Sequence, residues 1–234
     1  IDEYSKPGQT ICCAAGNEGE DDIHARAVVK QDDVTPLAFN ISAPEMISGK
    51  TENIILALLN GWYSGDDSIE AAIISPNGLI TPFQSIIPTG NYIRTFTLDG
   101  CRVLIATPGP DLENNDHNIL VLIESISTNP SLKSIFGKWK LLLRGKKINK
   151  GIVDVWALNN NCIFTDKSHN GFKIGSPGSA AGAVTVASYT TRTAWQNIDG
   201  EKIEVGFPLD DISPFSSPGP LRHGAPKPDV AAPG

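Results

Sequence analysis

The stretch Thr10-Ile-Cys-Cys-Ala-Ala-Gly-Asn-Glu-Gly19 decides the fold that this chain is expected to adopt. Its first six residues form a short continuous apolar run, which is typical of a strand buried on both faces of a parallel sheet. The run ends at Gly16, and glycine permits a sharp exit from a strand. Ligands of open α/β sheets bind beyond the carboxyl ends of strands, so Asn17 is expected to lie at a binding site.

Asn17 offers a carboxamide N–H that could point at an oxygen gaining negative charge. Preorganised donors of this kind stabilise tetrahedral intermediates of acyl transfer. The small neighbours Ala14, Ala15 and Gly16 would let a substrate backbone come close. An Asn beside Gly after a strand is also a common turn former, so the motif alone leaves both interpretations open.

The middle of the chain has a different sequence pattern, in which short runs of strand-forming residues are separated by turn residues. Regular short strands of this kind predict a sandwich or a jelly roll. The alternation is clearest where Trp139, Leu141 and Leu143 are expected to face a core and Lys138 and Lys140 to face water. The predicted strands lie near Leu37–Ile41, Asn53–Leu59, Ile69–Ser75, Ile93–Leu98, Arg102–Thr107, Ile119–Ile126, Trp139–Arg144 and Gly151–Ala157.

The composition is that of a globular chain, with 40% hydrophobic and 19% charged residues among 234. A net charge of −7 disfavours nucleic acid as a partner, because phosphate binding needs clustered Lys and Arg. The one basic run, Arg144–Lys150, is interpreted as a solvated hairpin turn. No stretch is long and apolar enough to cross a bilayer, and no signal peptide is expected at Ile1.

Neither a metal nor a cofactor is expected. The four cysteines form no Cys-x-x-Cys pair, which argues against a zinc site. The oxygen-rich segment Asp111–Asn118 lacks the glycine and the glutamate that an EF-hand calcium loop requires, so it is interpreted as a polar turn.

Four segments, in this order along the chain, resemble segments of the subtilisin-like serine proteases. Ala14–Gly19 is similar to the oxyanion-hole segment, and Pro177-Gly178 followed by Ala183–Ser188 is similar to the specificity-pocket turn and its strand. Pro214–Pro220 resembles the Phe-Ser-Ser-x-Gly-Pro segment of that family, and Lys227–Gly234 resembles the segment before the nucleophile motif.

The resemblance implies a peptidase site and assigns roles to residues. Asn17 would be the side-chain donor of the oxyanion hole, and Ala14 and Gly16 would line one wall of the primary specificity pocket. The partners implied are a peptide or protein substrate and the remainder of the catalytic domain. The opposite wall of the pocket would be formed by Gly175, Ser176, Pro177 and Gly178.

The triad motifs of that family do not occur in the sequence. Neither Asp-Ser/Thr-Gly, His-Gly-Thr-His nor Gly-Thr-Ser is present. We therefore expect the chain to lie between the family's His and Ser, and to hydrolyse no peptide by itself. Ser216 and Ser217 are structural in the resemblance, and none of the four histidines is assigned as a base.

The resemblance covers the two ends and leaves the middle as an insertion. The expected organisation is a partial catalytic domain at 1–22, an inserted β-sandwich or jelly-roll domain at 23–173, and the continued catalytic domain at 174–234. The expected fold class is thus mainly β, with partial α/β flanks. Clostridial spore-germination proteases of the Csp type carry such an insertion at this place. Residues 137–143 and 151–157 also resemble the closing hairpin of convertase P-domains, or form a simple core hairpin.

Two other functions stay open at this stage. The parent could be a pseudoprotease or scaffold, or the sandwich could be a carbohydrate- or protein-binding module, which exposure of Trp62, Tyr63 or Tyr92 would support. The strands at 10–15 and 183–187 are expected to lack the sheet neighbours that the rest of a protease domain supplies, so the ends would be partly disordered or would pair between chains. The cellular location is left open among bacterial, spore-associated and secreted.

Overall fold

The computed structural model describes residues 1–43, 55–125, 135–159 and 161–234, and the regular structure in these ranges consists of β-strands. No α-helix occurs in these ranges, so no helix there is long and apolar enough to span a membrane. The mainly-β expectation is confirmed, whereas the helices of the expected α/β flanks are not found among these residues. The strands are β1 (Ile11–Ala14), β2 (His24–Val28), β3 (Val34–Ile41), β4 (Ile55–Tyr63), β5 (Ser68–Ile74), β6 (Ile93–Leu98), β7 (Cys101–Ala106), β8 (His117–Ser125), β9 (Gly137–Lys147), β10 (Ile152–Ala157), β11 (Cys162–Phe164), β12 (Ala183–Tyr189), β13 (Ala194–Gln196), β14 (Lys202–Glu204) and β15 (Val230–Pro233).

The internal contacts divide the chain into two compact units. One unit, here called the end unit, consists of residues 1–21 and 170–234, and the other, the middle unit, of residues 22–169. The middle unit contains a six-stranded sheet in the order β2-β10-β4-β8-β7-β6 and a four-stranded sheet in the order β11-β3-β9-β5. All strand pairs in both sheets are antiparallel.

The two sheets of the middle unit share one hydrophobic core. Trp139 and Phe39 from the four-stranded sheet and Leu59, Val121 and Val155 from the six-stranded sheet are fully buried in it. Burial of so many large apolar side chains is the main stabilising contribution to this unit.

The eight strands predicted for the middle of the chain correspond to β3 to β10. The residues 53–54 and 126, which the predictions included, lie outside the described ranges. In β9, Trp139 and Leu141 are buried and Lys138 and Lys140 are exposed, so the predicted alternation is confirmed. The sheets also contain β2 and β11, which the sequence patterns did not predict.

The interpretation of Arg144–Lys150 as a hairpin turn is wrong. β9 pairs with β3 and β5, whereas β10 pairs with β2 and β4 of the other sheet. Arg144–Lys147 belong to β9, and residues 148–151 connect the two sheets, so neither a convertase-like nor a simple core hairpin joins β9 to β10. The reason lies in Asp67, whose buried carboxylate accepts backbone hydrogen bonds from Asn149, Lys150 and Gly151 at 2.5, 2.9 and 2.8 Å and fixes the connection.

Tyr63, which was considered as an exposed aromatic residue, belongs to the core. Its ring is fully buried, and its hydroxyl donates a hydrogen bond to the carbonyl of Ile69 at 3.3 Å. Burial raises the pKa of the hydroxyl above its usual value. Trp62 is half-buried and Tyr92 is 41% exposed. Tyr63 is thus unavailable to a ligand at the surface.

The end unit is built around a parallel sheet in the order β1-β12-β15. β1 and β12 pair with each other, and β1 is an edge strand of this sheet. The expectation that the ends are partly disordered or pair between chains stays a prediction. β15, which the sequence patterns did not predict as a strand, pairs with the other side of β12. A separate short hairpin is formed by β13 and β14.

Candidate functional site

The strand β1 pairs in parallel with β12, and Asn17 follows the carboxyl end of β1. Ile11 lies opposite Ala183 and Ala14 opposite Val186, and the backbone N–H of Ala15 donates to the carbonyl of Val186 at 2.9 Å. Asn17 follows two residues later, and its side chain is exposed. The carboxamide therefore lies beyond the carboxyl end of β1 and is open to a molecule approaching that edge.

Gly16 makes the turn that carries the chain from β1 to Asn17. Its φ angle is +116°, a conformation that side chains with a Cβ rarely adopt. A Cβ at this position would lie 2.4 Å from Oε2 of Glu18 and 2.5 Å from Oγ of Ser217. Only glycine fits here without a shift of these groups.

The loop from Gly16 to Gly19 is held by the segment that contains Phe215 and Ser217. The backbone N–H of Ser217 donates to the carbonyl of Gly16 at 3.1 Å, and the N–H of Gly19 donates to the carbonyl of Phe215 at 2.8 Å. The Ser217 hydroxyl accepts from the N–H of Glu18 at 3.1 Å and donates to its carboxylate at 2.5 Å. Two segments about 200 residues apart are thereby joined into one structure.

Lys173 provides a further contact to the same loop. Its side chain is almost fully buried, and Nζ donates to the carbonyl of Gly19 at 3.0 Å and to Oδ1 of Asn170 at 3.1 Å. The sequence patterns singled out neither Lys173 nor Glu18. The serine pair of Pro214–Pro220 was the one available signal, but sequence alone does not reveal which loop a serine binds.

The predicted second wall begins at the turn 175–178. The N–H of Ser179 donates to the carbonyl of Gly175 at 3.0 Å, which closes the turn. Gly175, Ser176 and Pro177 are exposed, and Gly178 is buried. Among the described residues, a Cβ added at Gly175 would meet no atom within 4 Å.

Gly178 is where the two predicted walls meet. A Cβ on this residue would lie 2.9 Å from the carbonyl oxygen of Ala14 and 3.1 Å from the side chain of Thr185. The buried Thr185 hydroxyl donates to the Gly178 carbonyl at 2.5 Å. The structure thus brings Ala14 and Gly178 together and leaves the remainder of the turn open to solvent.

Asp229 and Lys227 fix the order of the strands β12 and β15. The Asp229 carboxylate accepts from the backbone N–H of Thr185 at 2.7 Å and from Nζ of Lys227 at 2.6 Å. Nζ of Lys227 also donates to the carbonyl of Ala183 at 2.6 Å. The hydrogen bond from Lys227, aided by that from Thr185, holds the pKa of the Asp229 carboxyl below its usual value.

A cleft of the end unit is lined in part by Lys227 and by residues of the segment 216–220. Its volume is about 450 Å³, and its lining includes Ala187, Ser217, Pro218 and Lys227. Ser217, which lines this cleft, also makes the hydrogen bonds to the loop from Gly16 to Gly19. None of the predicted wall residues lines this cleft, so the cleft and the predicted pocket are different surfaces.

His24, His117 and His169 belong to the middle unit, and His223 belongs to the end unit. His24 is fully buried in the middle unit, where Nε2 lies 3.0 Å from Oδ1 of Asp154 and Nδ1 lies 3.2 Å from the carbonyl of His169. Both ring nitrogens are therefore engaged, and this His–Asp pair offers no nitrogen to a substrate. His117 is buried, and burial lowers its pKa, whereas His223 is exposed in a turn.

Asp154 is the centre of a buried charged cluster. Burial alone would raise the pKa of its carboxyl, but hydrogen bonds from His24 and Arg26 outweigh that effect and hold the pKa at about 2. The cluster joins β2 to β10, which pair directly. Its role is consistent with holding an edge strand in place.

The segment considered for calcium forms a turn that is closed by its own side chains. Oδ1 of Asp111 accepts from the backbone N–H groups of Glu113 and Asn114 at 3.0 and 3.2 Å. Among the described residues, no group of three or more His, Cys, Asp or Glu side chains is arranged to hold a metal ion.

Comparison with known proteins gives one family and one fold. Residues 105–234 match the model of the subtilase family. The CspB protease of Clostridium perfringens has a similar structure, with a TM-score of 0.69 and 22% sequence identity over 96% of this chain. The match spans 41% of the length of that protease, and at this identity the likeness concerns the fold. No curated protein matches the chain.

Proposed function

The chain belongs to the subtilase family, and from this premise we propose that it is part of a subtilisin-like serine endopeptidase. It supplies the oxyanion-hole donor and the walls of the specificity pocket, while the reactive Asp, His and Ser come from the remainder of the catalytic domain. One observation carries the proposal: β1 and β12 pair in parallel, and Asn17 follows β1 with its side chain exposed.

Asn17 acts in this proposal when the substrate carbonyl is attacked. The carbonyl oxygen then becomes negatively charged, and the Asn17 carboxamide donates a hydrogen bond to it. Because the loop is already held by Ser217 and Phe215, the donor needs little reorganisation during the reaction. In subtilisin itself, loss of the side-chain donor costs about 10²–10³ in kcat, and we adopt that known magnitude for Asn17.

The pocket walls are made of small residues in this proposal. Ala14 and Gly16 form one wall, and the turn 175–178 (Gly175, Ser176, Pro177 and Gly178) forms the other. The close approach of Gly178 to the carbonyl of Ala14 supports this pairing of walls. Small side chains leave room for a substrate side chain between two backbone segments.

The organisation that we propose has catalytic-domain segments at 1–22 and 174–234 and an inserted domain at 23–173. The contact units, which divide the chain at 21/22 and 169/170, support these bounds within a few residues. The jelly-roll description of the insertion is part of the same proposal, and its two sheets with one core support it.

The insertion restrains substrate access, clamps the catalytic domain or holds a prodomain in this proposal. The motivation is its attachment at residue 23, a few residues after Gly19 at the end of the oxyanion loop. Deletion of 23–169 from the full-length protein, which keeps Lys173 and its hydrogen bond to the Gly19 carbonyl, followed by assays with small and large substrates, tests this role. Unchanged rates on both substrates would reject it.

The central experiment uses the full-length protein that contains this chain. A serine-directed phosphonate should label it, and a variant without the nucleophile should not be labelled. Asn17→Ala should lower kcat by about 10²–10³ with a small change in KM. Asn77→Ala, at an exposed turn of the middle unit, is the matched control and should leave kcat unchanged.

Two outcomes would argue against the proposal. If the phosphonate labels nothing in the folded full-length protein, the parent is better described as a pseudoprotease or scaffold. If the protein is labelled but Asn17→Ala has the same kcat as Asn77→Ala, the oxyanion role of Asn17 is wrong.

A further inference from the structure

Ser217 contacts the peptide units on both sides of Asn17. Its backbone N–H donates to the carbonyl of Gly16 at 3.1 Å, and its hydroxyl accepts from the N–H of Glu18 at 3.1 Å. We infer that Ser217 is a positioning residue that holds the Asn17 carboxamide in the geometry needed for catalysis. This inference rests on the proposed function, because it concerns how Asn17 is held.

The Ser217 hydroxyl both accepts and donates a hydrogen bond within the loop. It also donates to Oε2 of Glu18 at 2.5 Å, and a hydrogen bond to an ionised carboxylate is stronger than one between neutral groups. Ser217 is only 1% exposed, so water does not compete for these contacts. A hydroxyl in this arrangement holds Glu18, and its burial keeps it away from a substrate carbonyl.

Other contacts hold the far end of the loop independently of this hydroxyl. The N–H of Gly19 donates to Phe215, and Nζ of Lys173 donates to the carbonyl of Gly19. These contacts, and the backbone hydrogen bond from Ser217 to Gly16, remain when the hydroxyl is removed. Ser217→Ala should therefore keep the loop attached while loosening the peptide unit after Asn17.

The expected effect of Ser217→Ala is a loss of kcat of roughly tenfold, because small misplacement of a catalytic group has large consequences for rate. KM should change little, since the Asn17 hydrogen bond strengthens in the transition state rather than in the bound substrate. Ser217→Thr retains the hydroxyl and should restore most of the activity.

The decisive measurement is a double-mutant cycle in the full-length protease. kcat and KM are measured for the wild type, Ser217→Ala, Asn17→Ala and the double variant. If Ser217 acts through Asn17, the Ser217→Ala change should have little further effect once Asn17 is alanine. A purely structural role would instead lower kcat by the same factor in both backgrounds.

Ser216→Ala is the matched control, because it removes a neighbouring buried hydroxyl that accepts from the N–H of Ser188 in β12. It should lower the unfolding temperature and leave kcat within about twofold of the wild type, since that hydroxyl makes no contact with the loop. If Ser217→Ala does not fold, Glu18→Ala replaces it in the cycle, because this change removes the carboxylate that orients the Ser217 hydroxyl.

The outcomes separate the inference from the proposed function. If Asn17→Ala lowers kcat but Ser217→Ala does not, or does so additively, the positioning role is overturned and the oxyanion role stands. If Asn17→Ala leaves kcat unchanged, the oxyanion role is wrong and the positioning role falls with it. Non-additive losses with rescue by Ser217→Thr support both.

Discussion

Oγ of Ser217 lies 2.5 Å from the position that a Cβ on Gly16 would occupy. The two residues are 201 positions apart in the sequence, yet the backbone N–H of Ser217 also donates to the Gly16 carbonyl. The contact explains why the turn after β1 requires glycine. It also fixes the direction in which the chain leaves the sheet toward Asn17.

Gly16→Ala should disturb the oxyanion loop. The added methyl group would overlap Ser217 and Glu18, and the φ angle of +116° is unfavourable for alanine. We expect a loss of about 1–3 kcal/mol in the free energy of unfolding, together with a lower kcat of the full-length protein. Thermal unfolding and steady-state kinetics measure both effects. Gly206→Ala is the control, since a Cβ there meets no described atom within 4 Å, and equal effects of the two changes would contradict the prediction.

Asp67→Ala should destabilise the middle unit. The change removes the carboxylate that accepts from the N–H groups of Asn149, Lys150 and Gly151, and a buried group left unpaired costs about 1–3 kcal/mol. We expect the free energy of unfolding in urea to fall by at least about 2 kcal/mol. Asp66→Ala, at the exposed neighbouring position, should change it by less than about 0.5 kcal/mol. Similar losses in both variants would show that the connection between the sheets does not depend on Asp67.

Trp139→Ala should be among the most destabilising single changes in the middle unit. The ring is fully buried between the sheets, and Nε1 donates to the carbonyl of Ile135 at 2.9 Å. Truncation of a buried tryptophan costs about 3–5 kcal/mol, which denaturant unfolding would measure. Trp195 is 39% exposed in β13, so Trp195→Ala should cost much less. A loss below about 1 kcal/mol for Trp139→Ala would contradict its place in the core.

The contribution of Asp154 to stability should depend on pH. The folded-state pKa of about 2 lies below the ordinary value of 3.8, so the unfolded chain binds the proton more readily. The stabilisation is therefore fully present above about pH 4 and is lost as the pH falls toward 2. We expect the difference in free energy of unfolding between the wild type and Asp154→Asn to shrink over this range. A difference that stays constant between pH 2 and 5 would contradict the role of the charged carboxylate.

The elements that the sequence predicted best are those with local periodicity. Trp139 and Leu141 alternate with Lys138 and Lys140, and this pattern by itself distinguishes the buried from the exposed face of β9. The hairpin assigned to Arg144–Lys150 was wrong because a turn-like composition does not reveal which sheet receives the next strand. The connection is held by hydrogen bonds to Asp67, which lies about 80 residues earlier.

In the candidate site, too, short motifs supported some predictions, whereas contacts between distant segments could not be predicted. The predictions that concern Asn17, Gly16 and the turn 175–178 followed from short motifs and remain predictions of function. The contacts made by Lys173 and Ser217 could not be read from those motifs, because hydrogen bonds between distant segments leave no local pattern.

The sequence by itself determined the apolar run of β1, the glycine turn after it, the strand-rich middle and the family to which the chain belongs. These features are local, since each depends on side-chain types at neighbouring positions. Only the tertiary structure decided that β15 pairs with β12, that β9 and β10 belong to different sheets, and that Ser217 holds the loop beside Asn17. Those relationships depend on which distant backbone groups satisfy each other's hydrogen bonds, and folding of the whole unit decides that.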